Sequence, residues 1–119
     1  ASKAKAKAKA LENVGVQVIA MANAYGKVDL PKLFAYLAKE HHMNEIHIEA
    51  GFKLNGSLLR EDCVNELLLY YAPFFMGEGI GMVNISPLTA LAERQDWQFI
   101  DQEMFGPDLR VRLRKTKAT

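Results

Sequence analysis

One cysteine, one tryptophan and four prolines in 119 residues leave little material for a covalently stapled architecture. Cys63 alone forms neither an internal disulfide nor a thiolate metal cluster, which suits a reducing compartment. Net charge is missing too. Fifteen Lys and Arg face fourteen Asp and Glu, a formal +1, so no global field draws the chain to nucleic acid or to a membrane surface. Long apolar runs are also absent: the longest, residues 67–76, is about half of the roughly 20 residues that cross a bilayer. Nothing near Ala1 resembles the apolar core of a signal peptide. A cytoplasmic protein with no membrane partner is therefore expected. What is present is ordinary for a folded chain: 50% apolar and 24% charged residues, in a length that fits one core and one domain.

The first ten residues alternate Ala and Lys, two good helix formers, and Leu11 and Val14 add only a thin apolar stripe. This predicts a solvated surface helix with no function, because no aromatic or Arg is interleaved to stack on a base or fork a phosphate. Residues 14–21 are β-branched and almost continuously apolar, which predicts a strand buried on both faces. Asn23 to Lys27, with Gly26, turns the chain. Asp29 then caps a helix with Pro31 in its first turn and Leu30, Leu33, Phe34, Leu37 and Ala38 at helical spacing, ending near His41 and His42. That His pair has no third ligand at a recognisable spacing, so no metal is expected.

Residues 45–50 read as a second strand, and Gly51 leads directly into a helix through Leu54, Leu58 and Leu59. The order strand, helix, strand, turn, helix predicts a parallel centre covered by helices. Residues 66–76 read as a further, central strand in which Pro73 marks a bulge or the end of pairing. Gly77, Gly79 and Gly81 read as a mobile connection. Gly106-Pro107 joins two strands over residues 97–105 and 108–114 into a hairpin, so the sheet is mixed with an antiparallel end. In the last strand Leu109, Val111 and Leu113 alternate with Arg110, Arg112 and Arg114, giving one core face and one solvated basic stripe.

The segment Ile46-His47-Ile48-Glu49-Ala50-Gly51-Phe52-Lys53-Leu54-Asn55-Gly56-Ser57 places an acid at the carboxyl end of a strand, then a glycine turn, then a helix start. Ligands of open α/β sheets sit at such ends, and a helix N-terminus offers unpaired N–H groups and partial positive charge to phosphate. Gly51 and Gly56 would allow close backbone approach, while Lys53, Asn55 and Ser57 carry donors. The spacing is neither the Rossmann fingerprint nor a Walker loop.

The pattern extends further. Glu49-Ala50-Gly51 with Leu54-Asn55-Gly56-Ser57-Leu58-Leu59 is followed by Val64-Asn65-Glu66-Leu67-Leu68-Leu69-Tyr70-Tyr71-Ala72-Pro73. Gly26-Lys27-Val28-Asp29-Leu30 precedes these segments and Phe105-Gly106-Pro107-Asp108-Leu109-Arg110-Val111-Arg112 closes the chain. As a set, over roughly residues 10–114, they resemble the C-terminal reductase part of the bifunctional riboflavin-biosynthesis deaminase/reductase family. Ala50 stands where that family often has Gly or Ser, and Phe52-Lys53 stands where a smaller pair is usual. The resemblance implies a three-layer dihydrofolate-reductase-like α/β domain, incomplete at its N-terminus, of which residues 1–119 form the C-terminal part. It implies NADPH-dependent reduction of 5-amino-6-(5-phosphoribosylamino)uracil, with Glu49 contacting substrate and Gly51, Phe52, Lys53, Leu54, Asn55, Gly56 and Ser57 contacting cofactor. A homo-oligomer and a deaminase domain fused upstream go with it. Because the nicotinamide performs hydride transfer, the protein itself needs no catalytic nucleophile. Two other readings stand beside this one: another pyrimidine or pterin reductase of the same fold, and a non-catalytic basic binding module using the Lys-rich start and the Arg stripe.

Overall fold

The computed structural model describes residues 2–116, and the chain divides into two compact units, Ala1–Asn44 and Glu45–Thr119. In the first unit, helix α1 (Ser2–Glu12) buries no side chain, as its Ala/Lys alternation predicts. It stops at Gly15, whose φ of +87° places it in the left-handed region. The Gly15 N–H bonds Glu12 O at 3.0 Å and the Val16 N–H bonds Leu11 O at 3.1 Å, the paired bonds of a Schellman cap. A tight turn follows. Asn23 Oδ1 accepts from the N–H groups of Tyr25 and Lys27, Gly26 takes φ +71°, and a single antiparallel bridge joins Ala22 to Val28. Helix α2 (Leu30–Glu40) starts as expected, with the Asp29 carboxylate accepting from the Lys32 N–H at 3.1 Å and Pro31 in the first turn. Among the described residues of this unit the buried apolar side chain is Leu30, and His41 is the C-cap, edge-on to Tyr36 at 5.4 Å.

The second unit holds helix α3 (Phe52–Arg60) and strands β1 (Glu66–Tyr71), β2 (Trp97–Phe105) and β3 (Asp108–Lys115). The sheet order is β1-β3-β2 and both pairings are antiparallel. The β2–β3 turn is the Gly106-Pro107 pair between partners Phe105 and Asp108. Gly106 has φ +57° and proline is held at negative φ, so only the first central residue is left-handed, as in a type II′ hairpin. Ile100 is the extra residue of a bulge where the register shifts between Phe99 and Asp101. Among the described residues of this unit, Leu58, Leu59, Val111 and Leu113 are the buried apolar side chains.

Three expectations need correction. Among the described residues, 14–21 and 45–50, each expected as a strand, form none, and the three strands present are wholly antiparallel with no parallel pair. A β-branched apolar segment becomes a strand only when a neighbour supplies its ladder; here Val16, Val18, Ile19, Ile46 and Ile48 remain exposed. The strand expected over residues 66–76 stops at Tyr71, and it lies at an edge of the described sheet rather than its centre. Pro73 cannot donate to a ladder, and pairing ends two residues before it.

The basic stripe also differs. Arg110, Arg112 and Arg114 do share a face, but β1 and β2 set acids among them. Arg110 lies 2.8 Å from Glu103 and 3.6 Å from Asp101, Arg112 pairs with Asp101 and, at 3.7 Å, with Glu66, and Arg114 lies 2.9 Å from Glu66. Three acids neutralise three arginines, which removes the cationic field that a nucleic-acid interface requires.

Candidate functional site

Helix α3 begins where the segment carrying Glu49 ends. Its N-cap, Gly51, is fully extended in ψ (178°) and offers no side-chain cap, so the first-turn N–H groups have no capping partner from this residue. A Cβ added to Gly51 would meet nothing within 4 Å, so its backbone faces open space. Phe52 is half-buried, whereas Lys53 and Leu54 are exposed. Glu49 is 90% exposed at its side chain and lies 3.3 Å from His47 Nε2. An accessible carboxylate thus lies beside an open helix start, without the strand expected to carry it.

Asn55, Gly56 and Ser57 are engaged otherwise. The Asn55 amide donates to Ala50 O at 3.1 Å and to Met82 O at 2.9 Å, which uses both of its N–H groups. Ser57 Oγ donates back to Lys53 O at 3.3 Å and accepts from Arg60 Nη2 at 3.1 Å. Gly56 is buried, and a Cβ there would collide with Asn84 O. The close backbone approach anticipated for a pyrophosphate is occupied by the protein's own loop.

That loop lies outside the sequence expectation. Residues 81–84 seat on α3 through the Asn84 N–H, which donates to Phe52 O at 3.1 Å, and through Arg60 Nη1, which donates to Asn84 O. A Cβ on Gly81 would lie 3.7 Å from the Phe52 ring. The end of the glycine-rich stretch is thus fastened rather than mobile, while Gly77 and Gly79 have open space where a side chain would be. One signal pointed here. A glycine inside a helix is costly, and it persists where another backbone must come close. Among the described residues no group of three or more His, Cys, Asp or Glu side chains gathers as a metal site would require. No described helix is long and apolar enough to cross a membrane.

An antiparallel sheet, a glycine-capped helix with an open first turn, and a glycine loop fastened beside it define an α/β domain. Comparison with known proteins makes this particular: the profile of the RibD C-terminal domain matches residues 1–111, and the chain belongs to that family. RibD of Haemophilus influenzae is 35% identical over 83 residues, covering 69% of this chain and 22% of that protein. RibD of Escherichia coli is 35% identical over 89 residues, covering 74% and 24%. The 5-amino-6-(5-phosphoribosylamino)uracil reductase of Buchnera aphidicola is 29% identical over 92 residues, covering 76% of this chain and 44% of that protein. In structure, RibD of Acinetobacter baumannii superposes with a TM-score of 0.78 at 25% identity, over 91% of this chain and 29% of that one. The chain thus spans about a quarter of the length of its RibD relatives.

Proposed function

We propose that this chain is the cofactor-facing part of a reductase which converts the ribosyl group of 5-amino-6-(5-phosphoribosylamino)uracil to ribityl with NADPH. The observation that carries the reading is the start of α3. Uncapped first-turn N–H groups, an open Gly51 and an exposed Lys53 make a donor set suited to a dinucleotide pyrophosphate. Family membership and the reductase name carried by the Buchnera relative support it.

The nicotinamide, when bound, supplies the hydride. The residues of this chain bind and orient. Gly51, Phe52, Lys53 and Leu54 present backbone donors and one cation to phosphate. Asn55, Gly56 and Ser57 contribute to the cofactor site by holding its walls, because their polar groups and close-approach space are already engaged. The Glu49 carboxylate, exposed at the end of residues 45–50, holds sugar hydroxyls or favours the cationic imine form of the opened ribosylamine. In the whole enzyme, residues 14–21 and 45–50 serve as inner strands of the expected parallel centre, where their apolar side chains find cover. The greater length of the relatives accommodates a deaminase domain upstream, and a cytoplasmic homo-oligomer completes the reading.

The test is a comparison of Glu49→Gln with the parent in the intact enzyme, following NADPH oxidation with the ribosylamino-uracil substrate and the melting temperature. A loss of turnover or substrate affinity of about tenfold or more, with melting unchanged, is expected. Unchanged kinetics would remove Glu49 from the substrate site.

A further inference from the structure

Three elements meet at the start of α3: the Ala50-Gly51 turn, the first turn of the helix, and residues 81–84. Two of them are joined by one side chain. Asn55 donates one N–H to Ala50 O and the other to Met82 O, so a single half-buried amide spans a turn five residues before it and a loop 27 residues after it. We propose that Asn55 is a positioning residue for dinucleotide binding. It does not touch the cofactor; it fixes the glycine loop against the turn whose backbone donors do. The proposal rests on the reductase reading above and assigns Asn55 a part within it.

The chemistry is specific to an amide. Both partners of Asn55 are carbonyl oxygens, so the residue must supply two donors from one nitrogen. Aspartate has nearly the same shape but only acceptors at neutral pH, and would face both carbonyls with repulsion. Arg60 acts on the same loop from one turn further on, donating to Asn84 O while its other nitrogen holds Ser57 Oγ. Gly56 lies between them and supplies the room that Asn84 O occupies. Asn55, Gly56 and Arg60 of one helix therefore all serve one loop. Releasing it leaves the α3 donors in place but costs dinucleotide binding the order of the wall beside them, since a bound state that must first be organised has lower apparent affinity.

The experiment uses the intact enzyme carrying Asn55→Asp, Asn55→Gln, Arg60→Gln and the double variant Asn55→Asp/Arg60→Gln. NADPH affinity is read by fluorescence titration, and backbone amide exchange over residues 51–53 and 82–84 is read without cofactor. Asn55→Asp is expected to weaken NADPH binding about tenfold, the weight of roughly one hydrogen bond to a committed partner. kcat at saturating NADPH should stay within about twofold, because the loss is in uniform binding. Asn55→Gln, which keeps both donors, should recover part of the affinity, and the double variant should lose less than the product of its singles, because both release the same loop. The decisive readout is exchange in the cofactor-free state. Faster exchange at 82–84 in Asn55→Asp supports positioning, whereas parent-like exchange with weakened binding would mean that Asn55 contacts the cofactor directly and would overturn the proposal. Parent-like affinity in every variant overturns it as well. If the parent itself binds no NADPH, the reductase reading falls first and takes the role of Asn55 with it.

Discussion

Asp62 occupies a conformation that usually belongs to glycine. It follows α3 with φ +56°, its N–H bonding Leu59 O at 3.3 Å while the Cys63 N–H bonds Leu58 O at 2.9 Å, the same paired cap that Gly15 makes after α1. A left-handed non-glycine residue costs about 1–2 kcal/mol, less for aspartate than for most. Its compensation is an ion pair with Lys115, but the acid is 71% exposed, and such a pair contributes about 0–1 kcal/mol. Relief of backbone strain therefore outweighs loss of the pair: Asp62→Gly is expected to stabilise by up to about 1 kcal/mol and Asp62→Ala to destabilise by about as much. Urea titration of the two variants checks the order, and the reverse order would refute this account. Glu93 carries a pH dependence. The Thr89 backbone N–H, then the Thr89 hydroxyl, then the Ala90 N–H bond its carboxylate and hold its pKa below the ordinary glutamate value, with slight burial opposing them. The order this gives to residues 89–93 is present above the unfolded glutamate pKa, about 4.3, and is lost as pH falls through the lowered folded value. The Thr89 amide resonance should titrate with a midpoint below the ordinary glutamate value, and Glu93→Gln should remove that titration.

At the scale of elements, helices were more legible than strands. Asp29 with Pro31, and Gly51 before Phe52, announce α2 and α3 through local chemistry that the structure reproduces. The Gly106-Pro107 hairpin was equally local. Strand pairing is not local, and residues 16–20 show the consequence: an apolar pattern states that a segment can be covered without stating what covers it. The Asn55 latch was hidden for the same reason, since its second partner is Met82. The arginine face was half legible. Alternation put Arg110, Arg112 and Arg114 together, but the neutralising acids come from flanking strands whose register no spacing reveals. Asp101 is the hinge of that ladder, ion-paired with both Arg110 and Arg112 and only 37% exposed at its side chain. Its Oδ1 is buried at ion-pair rather than hydrogen-bond distance from Arg110, and the Nε atoms of Arg110 and Arg112 are likewise without hydrogen-bond partners. Asp101→Asn leaves two neighbouring guanidinium groups less compensated, and is expected to cost about 1–3 kcal/mol, between the values of exposed and buried pairs. Thermal or chemical unfolding reads this directly; a loss below a few tenths would place Asp101 among ordinary surface acids.

At the scale of the whole molecule, the distribution of apolar surface decides what the chain can do alone. The first unit buries Leu30 but exposes Val14, Val16, Val18 and Ile19; the second exposes Ile46, Ile48, Phe74, Phe75, Met76 and Ile80. So many exposed apolar side chains leave surface that another element or another chain could cover. Residues 45–50 carry Glu49 directly into the Gly51 turn, so a segment without a ladder positions the acid on which the proposed substrate contact rests. An error of about 1 Å in such a group costs on the order of a hundredfold in rate. The Buchnera reductase has more than twice the length that this chain matches, which leaves chain enough to supply neighbours for these segments. The 119-residue chain by itself is therefore expected to show weak NADPH affinity, through the α3 start, and activity on the order of one hundredth or less of a form extended upstream to the length of that relative. Backbone exchange supplies the mechanism-specific control: residues 16–20 and 45–50 should exchange quickly in the short chain and slowly in the extended one, while β2 and β3 remain protected in both. Full reductase activity in the short chain, with residues 45–50 still exchanging freely, would show that Glu49 needs no strand to hold it and that the substrate site lies elsewhere.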